Sequence, residues 1–191
     1  MPRYIIALAL LPFVAACTIS EPNPPSVSAR DVDLAFANAA RASTLPVADT
    51  FDLPTGTVTY DGQIGADVNG DTLGSVLADM RMVVDFRDND IGGDVTNINL
   101  IDQNGIPNQR FDGSLTISGF ENNGDLDAGA RGRIGAVDIN GNDLDADMFL
   151  DLEGTVRNDR SFGDTVYGSA TGDVRGDFNL DVEGVFYGER R

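Results

Sequence analysis

Carboxylates dominate the groups of this 191-residue chain that could do chemistry. Thirty-one acidic residues face thirteen basic ones, for a net charge of −18. Every basic residue is Arg, there is no His or Trp, and Cys17 is the one cysteine. Without His and with a single thiol, His-based triads, structural zinc sites and internal disulfides are excluded. Phosphate recognition needs a basic surface, so nucleic acid is not an expected partner. No Gly-x-Ser-x-Gly elbow and no Asp-Thr/Ser-Gly motif occurs, and unpaired carboxylates carry no specific acid–base signature. We therefore expect no enzyme and no cofactor.

Three weaker constellations remain. Asp67, Asn69 and Asp71, and Asp138, Asn140 and Asn142, cluster oxygen ligands that could take calcium. Neither run has the Gly at position six or the Glu at position twelve of an EF-hand loop. Both coincide with Asn-Gly turns, which explain them without a metal, so no metal is assigned. Haem would have only tyrosines (Tyr60, Tyr167, Tyr187) or methionines (Met80, Met82, Met148) as axial ligands, and the methionines read as core. Arg131 and Arg133 lie on one face of one strand and could meet an anionic ligand or pair with neighbouring Asp. Phe149 and Tyr187, with Val83 and Val185, break the polar face of their strands. Either the helix covers them or they form a partner patch.

The elements that position these residues begin with an address. After Arg3, residues Tyr4 to Val14 form an apolar run of about eleven, too short for a bilayer that needs ~20. It suits the core of a secretory signal. The run ends in Val14-Ala15-Ala16-Cys17, which resembles the lipobox of bacterial lipoproteins. That resemblance implies cleavage before Cys17, a diacylglyceryl group on its sulfur and an acyl chain on its new amine. Several chains together hold a protein firmly to a membrane. Thr18 stands where Asp retains many Gram-negative lipoproteins in the inner membrane, so the expected location is the outer membrane of a bacterial envelope. Residues 1–16 are the signal peptide. Residues 17–28 are the lipidated Cys and a tether holding Pro22, Pro24 and Pro25. The mature chain has 191 − 16 = 175 residues and, without Arg3, a formal charge of −19.

Residues 29–52 supply a short helix and a connection. Val32, Ala35, Phe36, Ala39 and Ala40 recur at helical spacing. Asp31 and Asp33 favour its first turn, Arg41 its last, and Pro46 ends it. The apolar stripe is expected to dock on the domain that follows. From Leu53 the period becomes two. Eight alternating runs follow: Thr57–Asp67, Val76–Phe86, Ile91–Val95, Phe111–Gly119, Ala128–Ala136, Leu144–Val156, Gly168–Phe178 and Val182–Gly188. Asn-Gly occurs at 69, 104, 123 and 140, the strongest short hairpin signal. No helical stretch separates the runs, so the sheet is antiparallel. The predicted fold is all-β, an eight-stranded antiparallel up-and-down barrel over 53–191 preceded by one short α-helix. Closure removes two otherwise unprotected edges. The interior of such a barrel is filled by side chains or holds one small ligand. The outward positions carry Asp79, Arg81, Asp85, Asp145, Asp147 and Asp151, which a lipid-facing wall would not.

The run Gly172-Asp173-Val174-Arg175-Gly176-Asp177-Phe178, then Val182-Glu183-Gly184-Val185-Phe186-Tyr187-Gly188, resembles the closing hairpin of the transferrin-binding protein B β-barrel domain. Leu53-Pro54-Thr55-Gly56 with Tyr60-Asp61-Gly62, and Val84-Asp85-Phe86 before Ile91-Gly92-Gly93, fit the same pattern. The resemblance spans about Leu53 to Tyr187. It implies an outer-membrane lipoprotein, with the cell surface as one of its two faces, whose barrel scaffolds binding of a protein or nutrient. This chain has room for one barrel and no handle domain, and no binding residue of the family transfers by position. Two other readings stay open: a periplasm-facing structural or envelope lipoprotein, and a lipocalin-like carrier of a small apolar ligand. The partners expected are the membrane, through Cys17, and a protein or small-molecule ligand.

Overall fold

A computed structural model describes residues 21–159 and 163–191. Helix α1 (Ala29–Thr44) precedes ten strands: β1 (Thr57–Gly70), β2 (Gly74–Asp85), β3 (Asp90–Ile101), β4 (Pro107–Arg110), β5 (Asp112–Gly113), β6 (Leu115–Asn122), β7 (Asp125–Val137), β8 (Asp143–Asp159), β9 (Gly163–Gly176) and β10 (Leu180–Arg190). A single 3-10 turn, Thr50–Asp52, lies between α1 and β1. All pairings are antiparallel. β1 pairs β10 from Tyr60↔Arg190 to Gly70↔Leu180, which closes an eight-stranded barrel. The fourth position is shared. The first half of β3 pairs β6, its last residues pair β4, and β5 pairs β7. β4, β5 and β6 are thus one strand broken at Phe111 and Ser114.

The period-two pattern dictates what fills the barrel. Tyr60, Ile64, Met80, Met82, Ile91, Leu115, Ile117, Leu150, Leu152, Val166 and Phe186 form part of one continuous buried cluster. Two glycines make room for the largest ring. Gly154 of β8 faces Gly168 of β9, and a Cβ on either would lie 2.6 Å from the Phe186 ring. These inward glycines thus accommodate a protein aromatic. The Tyr60 hydroxyl is also fully buried and unpartnered among the described residues. Burial pushes its pKa up, with the charge of Asp164 adding to the effect.

Both ends of the barrel are covered. At the end carrying the 71–73, 102–106, 138–142 and 177–179 connections, Phe111 stacks on Phe178 (centroids 5.9 Å apart, planes 11°). At the other end the chain after α1 lies across the strands. The Ala48 N–H donates to the Val156 carbonyl (3.0 Å), and the Asn158 N–H donates to the Pro46 carbonyl (2.9 Å). Ala48 is buried, and Leu53 packs on the core.

Helix α1 starts in a capping box. Ser28 Oγ accepts the Asp31 N–H, and the Asp31 carboxylate accepts the Ser28 N–H (2.8 Å). The helix docks on the outer wall, where Ala35 packs with Leu77 and Ile101, and Val27 and Val32 flank them. Ala35 and Ala42 are its buried residues, and Phe36, expected in the docking stripe, is 79% exposed. The close approach of helix and wall leaves room only for small side chains at the contact.

Phe186→Ala should lower unfolding free energy by about 3–5 kcal/mol in urea titration. Gly168→Ala should also destabilise, by thrusting a methyl group at the same ring. Stability unchanged in either variant would contradict the packing described.

Candidate binding surface

Neighbouring outward positions of β7, β8 and β9 bring together residues far apart in sequence. The register sets Arg131 beside Phe149 and Phe149 beside Asp173; the next outward row is Arg133, Asp147 and Arg175. These six residues line a shallow depression of about 490 Å³. Intervening residues such as Met148 and Leu150 point into the core. Phe149 is 45% exposed, and its ring lies over Gly129, whose Cβ position is 3.3 Å from the ring edge.

The three arginines differ in how far they are committed. Arg175 holds the β9–β10 turn. Its Nη1 donates to the Val174 (3.0 Å) and Leu180 (2.9 Å) carbonyls, and its Nη2 donates to Asp181 (2.6 Å) and sits 3.4 Å from Asp173. The Asp181 hydrogen bond is the main reason its pKa is raised. Arg133 pairs with Asp145 at 3.1 Å, both largely exposed, an arrangement of little energetic consequence. The Arg131 side chain makes no ion pair or hydrogen bond among the described residues, and Arg131 is exposed. A free guanidinium beside an exposed aromatic edge suits a ligand that joins a carboxylate or phosphate to an apolar group.

Tyr187 is not part of this surface. It is buried beneath α1, where its hydroxyl donates to Gln63 Oε1 (2.8 Å) and accepts from Asn38 Nδ2 (3.2 Å). Burial, above all, raises its pKa. An Arg41–Glu189 ion pair fastens the same region. Val185 lies alongside, in an apolar groove of about 250 Å³ between Val32, Ala35 and Phe36 of the helix and Gly65 and Leu77 of the wall.

The oxygen-rich runs serve the backbone. In the 138–142 loop, Asp138 Oδ1 accepts the N–H groups of Asn140 and Asn142, both at 2.8 Å, and Oδ2 accepts from the Asn142 amide at 2.8 Å. These bonds, the Asn142 N–H foremost, bring the Asp138 pKa to about 2. Asp102 is used in the same way in the 102–106 loop, accepting the N–H groups of Asn104 (2.8 Å) and Ile106 (2.9 Å). A cation at Asp138 would have to displace these donors. Asp67 and Asn69 are exposed on β1, and Asp71 accepts the Asn179 N–H (2.8 Å). Among the described residues, no three Asp, Glu, His or Cys side chains converge to hold a metal. Asn69-Gly70 is not a turn. It is the end of β1, paired with Asp181 and Leu180, and the chain turns at 71–73 instead. Cys17 lies outside the described residues.

Comparison of the chain with family models, with curated proteins and with solved structures returns no significant match.

Arg175 is the arginine of this surface that the sequence did not single out as a candidate. Its position beside Asp147 depends on the β8–β9 register, and the row with Arg133 on the β7–β8 register, neither of which a local motif fixes. Its turn-holding bonds distinguish it from Arg131. Arg131→Ala and Phe149→Ala should each leave stability within about 1 kcal/mol of the parent. Arg175→Ala should lower the melting temperature clearly. Equal losses at positions 131 and 175 would show that Arg131 is structural.

Proposed function

We propose that this protein is an outer-membrane lipoprotein, anchored through Cys17, whose barrel is a rigid scaffold for binding on its outer wall. Arg131, whose side chain is unpaired among the described residues, beside exposed Phe149 in a depression it shares with Arg133 and Arg175, in a chain of net charge −18, is the observation that carries the binding reading. The lipobox ending at Cys17 carries the anchor. A partner that presents an acidic group next to an apolar one fits this wall. The resemblance to the transferrin-binding protein B barrel supports the idea of a lipid-anchored binding scaffold, without transferrin as ligand.

A lipocalin-like carrier fits less well. The buried cluster runs through the barrel, the Phe186 ring occupies the space left by Gly154 and Gly168, and both ends are covered. Among the described residues, no helix is long and apolar enough to cross a membrane. On this reading the anchor is lipid on Cys17.

Growth with a clickable palmitate analogue should label the protein, and Cys17→Ala should lose both the label and membrane association. Protease added to intact cells then reads the face. Digestion without lysis would place the barrel outside, and protection until lysis would place it in the periplasm. Label retained in Cys17→Ala would overturn the anchor.

A further inference from the structure

The connections at one barrel end present an aliphatic side chain on each of three neighbouring tips. Leu73 in the 71–73 connection is 51% exposed, Ile106 in the 102–106 loop 59%, and Ile139 in the 138–142 loop 101%. They belong to one rim. Leu73 shares a surface notch with Asp102, Gln103 and Gly105. The 138–142 loop is linked to β4 through the Val137 N–H, which donates to Gln109 Oε1 at 3.4 Å. Asp143 and Asp177 are also exposed at this end, but the acidic groups within the tip-bearing connections are engaged by backbone donors. Asp102 and Asp138 turn into their own loops, and Asp71 accepts the Asn179 N–H.

The described chain enters the fold at this same end. The Arg110 N–H of β4 donates to the Asn23 carbonyl (3.0 Å), and the Ser26 N–H donates to Asn99 Oδ1 of β3 (2.9 Å). Asn99 is wholly buried. The proline-rich segment expected to be a free spacer is therefore fastened to the wall from Asn23 onward. Five residues lie between Cys17 and Asn23, a reach of at most about 20 Å over the six steps when fully extended. Ile106 lies only four residues from Arg110.

We infer that the Leu73–Ile106–Ile139 rim is a membrane-contact surface, with the three aliphatic tips entering the bilayer interface beside the lipids of Cys17. The inference rests on the anchor proposed above. A tether of at most about 20 Å keeps the barrel close to the bilayer, and the end nearest Asn23 is the one that presents these three aliphatic tips. The contact is apolar and not electrostatic. A protein this acidic gains nothing from anionic headgroups, and no cluster of Lys or Arg surrounds the tips. The opposite end also exposes Phe51 and Val47, but the chain reaches it only after the whole of α1. Contact at this rim fixes the barrel axis across the membrane plane and leaves the Arg131–Phe149 wall facing sideways, open to a partner.

The chain contains no Trp, so single-tryptophan variants report depth without background. The full lipidated protein carrying Ile106→Trp, Ile139→Trp, Phe51→Trp or Phe149→Trp is reconstituted in vesicles of phosphatidylethanolamine and phosphatidylglycerol with acyl-brominated phosphatidylcholine. Flotation with the vesicles reads anchoring separately. Tryptophan at 106 and 139 should show blue-shifted emission and several-fold stronger bromine quenching than at 51 or 149, at low and at high salt alike. Quenching at 51 in place of 106 and 139, or at none of the four in protein that floats, overturns the rim assignment and leaves the anchor standing. Protein that carries no lipid and does not float overturns both.

Discussion

Closure of the sheet through the β1–β10 ladder is the constraint on which the rest of the molecule depends. Eleven residue pairs join the first strand to the last, so the long strands β1 and β10 do not end the sheet in open edges; only the short β4 and β5 are paired on one side. Closure brings the inner faces of eight strands onto one volume, and that volume has to be filled to near-solid density. Large inward residues such as Tyr60, Met82 and Phe186 are tolerated because small ones lie opposite. The Gly154–Gly168 pair beneath the Phe186 ring is the clearest case. The Phe111–Phe178 stack and the segment around Ala48 and Leu53 then seal the two ends.

A sealed, filled barrel leaves the outer wall and the rims to act on other molecules. The wall is divided by use. Across β1, β2, β3, β9 and β10 it is the seat of α1, and the apolar residues there, Leu77, Ile101 and Tyr187, serve the helix. On β8 the segment 45–48 covers only the end around Val156 to Asn158; further along β7 and β8, Phe149 and Arg131 face solvent. The same residue pattern, an apolar side chain on a polar face, thus has two meanings according to whether the helix reaches it.

That division explains how much was legible in the sequence. Strict alternation marked all eight barrel positions, because each strand has one buried and one exposed face. β3 was readable only as far as Val95. Asn97, with φ of 54°, sits at an irregularity where the β2 register shifts between Leu77 and Asp79, so the inward set moves from Val95 to Ile98 and Leu100. The pattern resumes out of phase and no longer looks like the same strand. Asn69-Gly70 carries a strong turn signal yet extends β1, because pairing with Leu180 holds Gly70 in the ladder and moves the turn to 71–73. Asn123-Gly124 obeys the local rule, with φ of 53° and 92° in a two-residue turn. Arg131, Arg133 and Phe149 could be picked out individually. Their meeting, and the addition of Arg175, required the register of three strands. The separation of Tyr187 from them required the helix.

The most direct test of a lipid-anchored scaffold that works from its outside is the native mass of the protein extracted from membranes. The expected species is residues 17–191 with a diacylglyceryl group and one amide-linked acyl chain on Cys17, and no other bound small molecule. A further apolar molecule present in stoichiometric amount, and released only when the barrel unfolds, would contradict a filled interior and move the binding site inside.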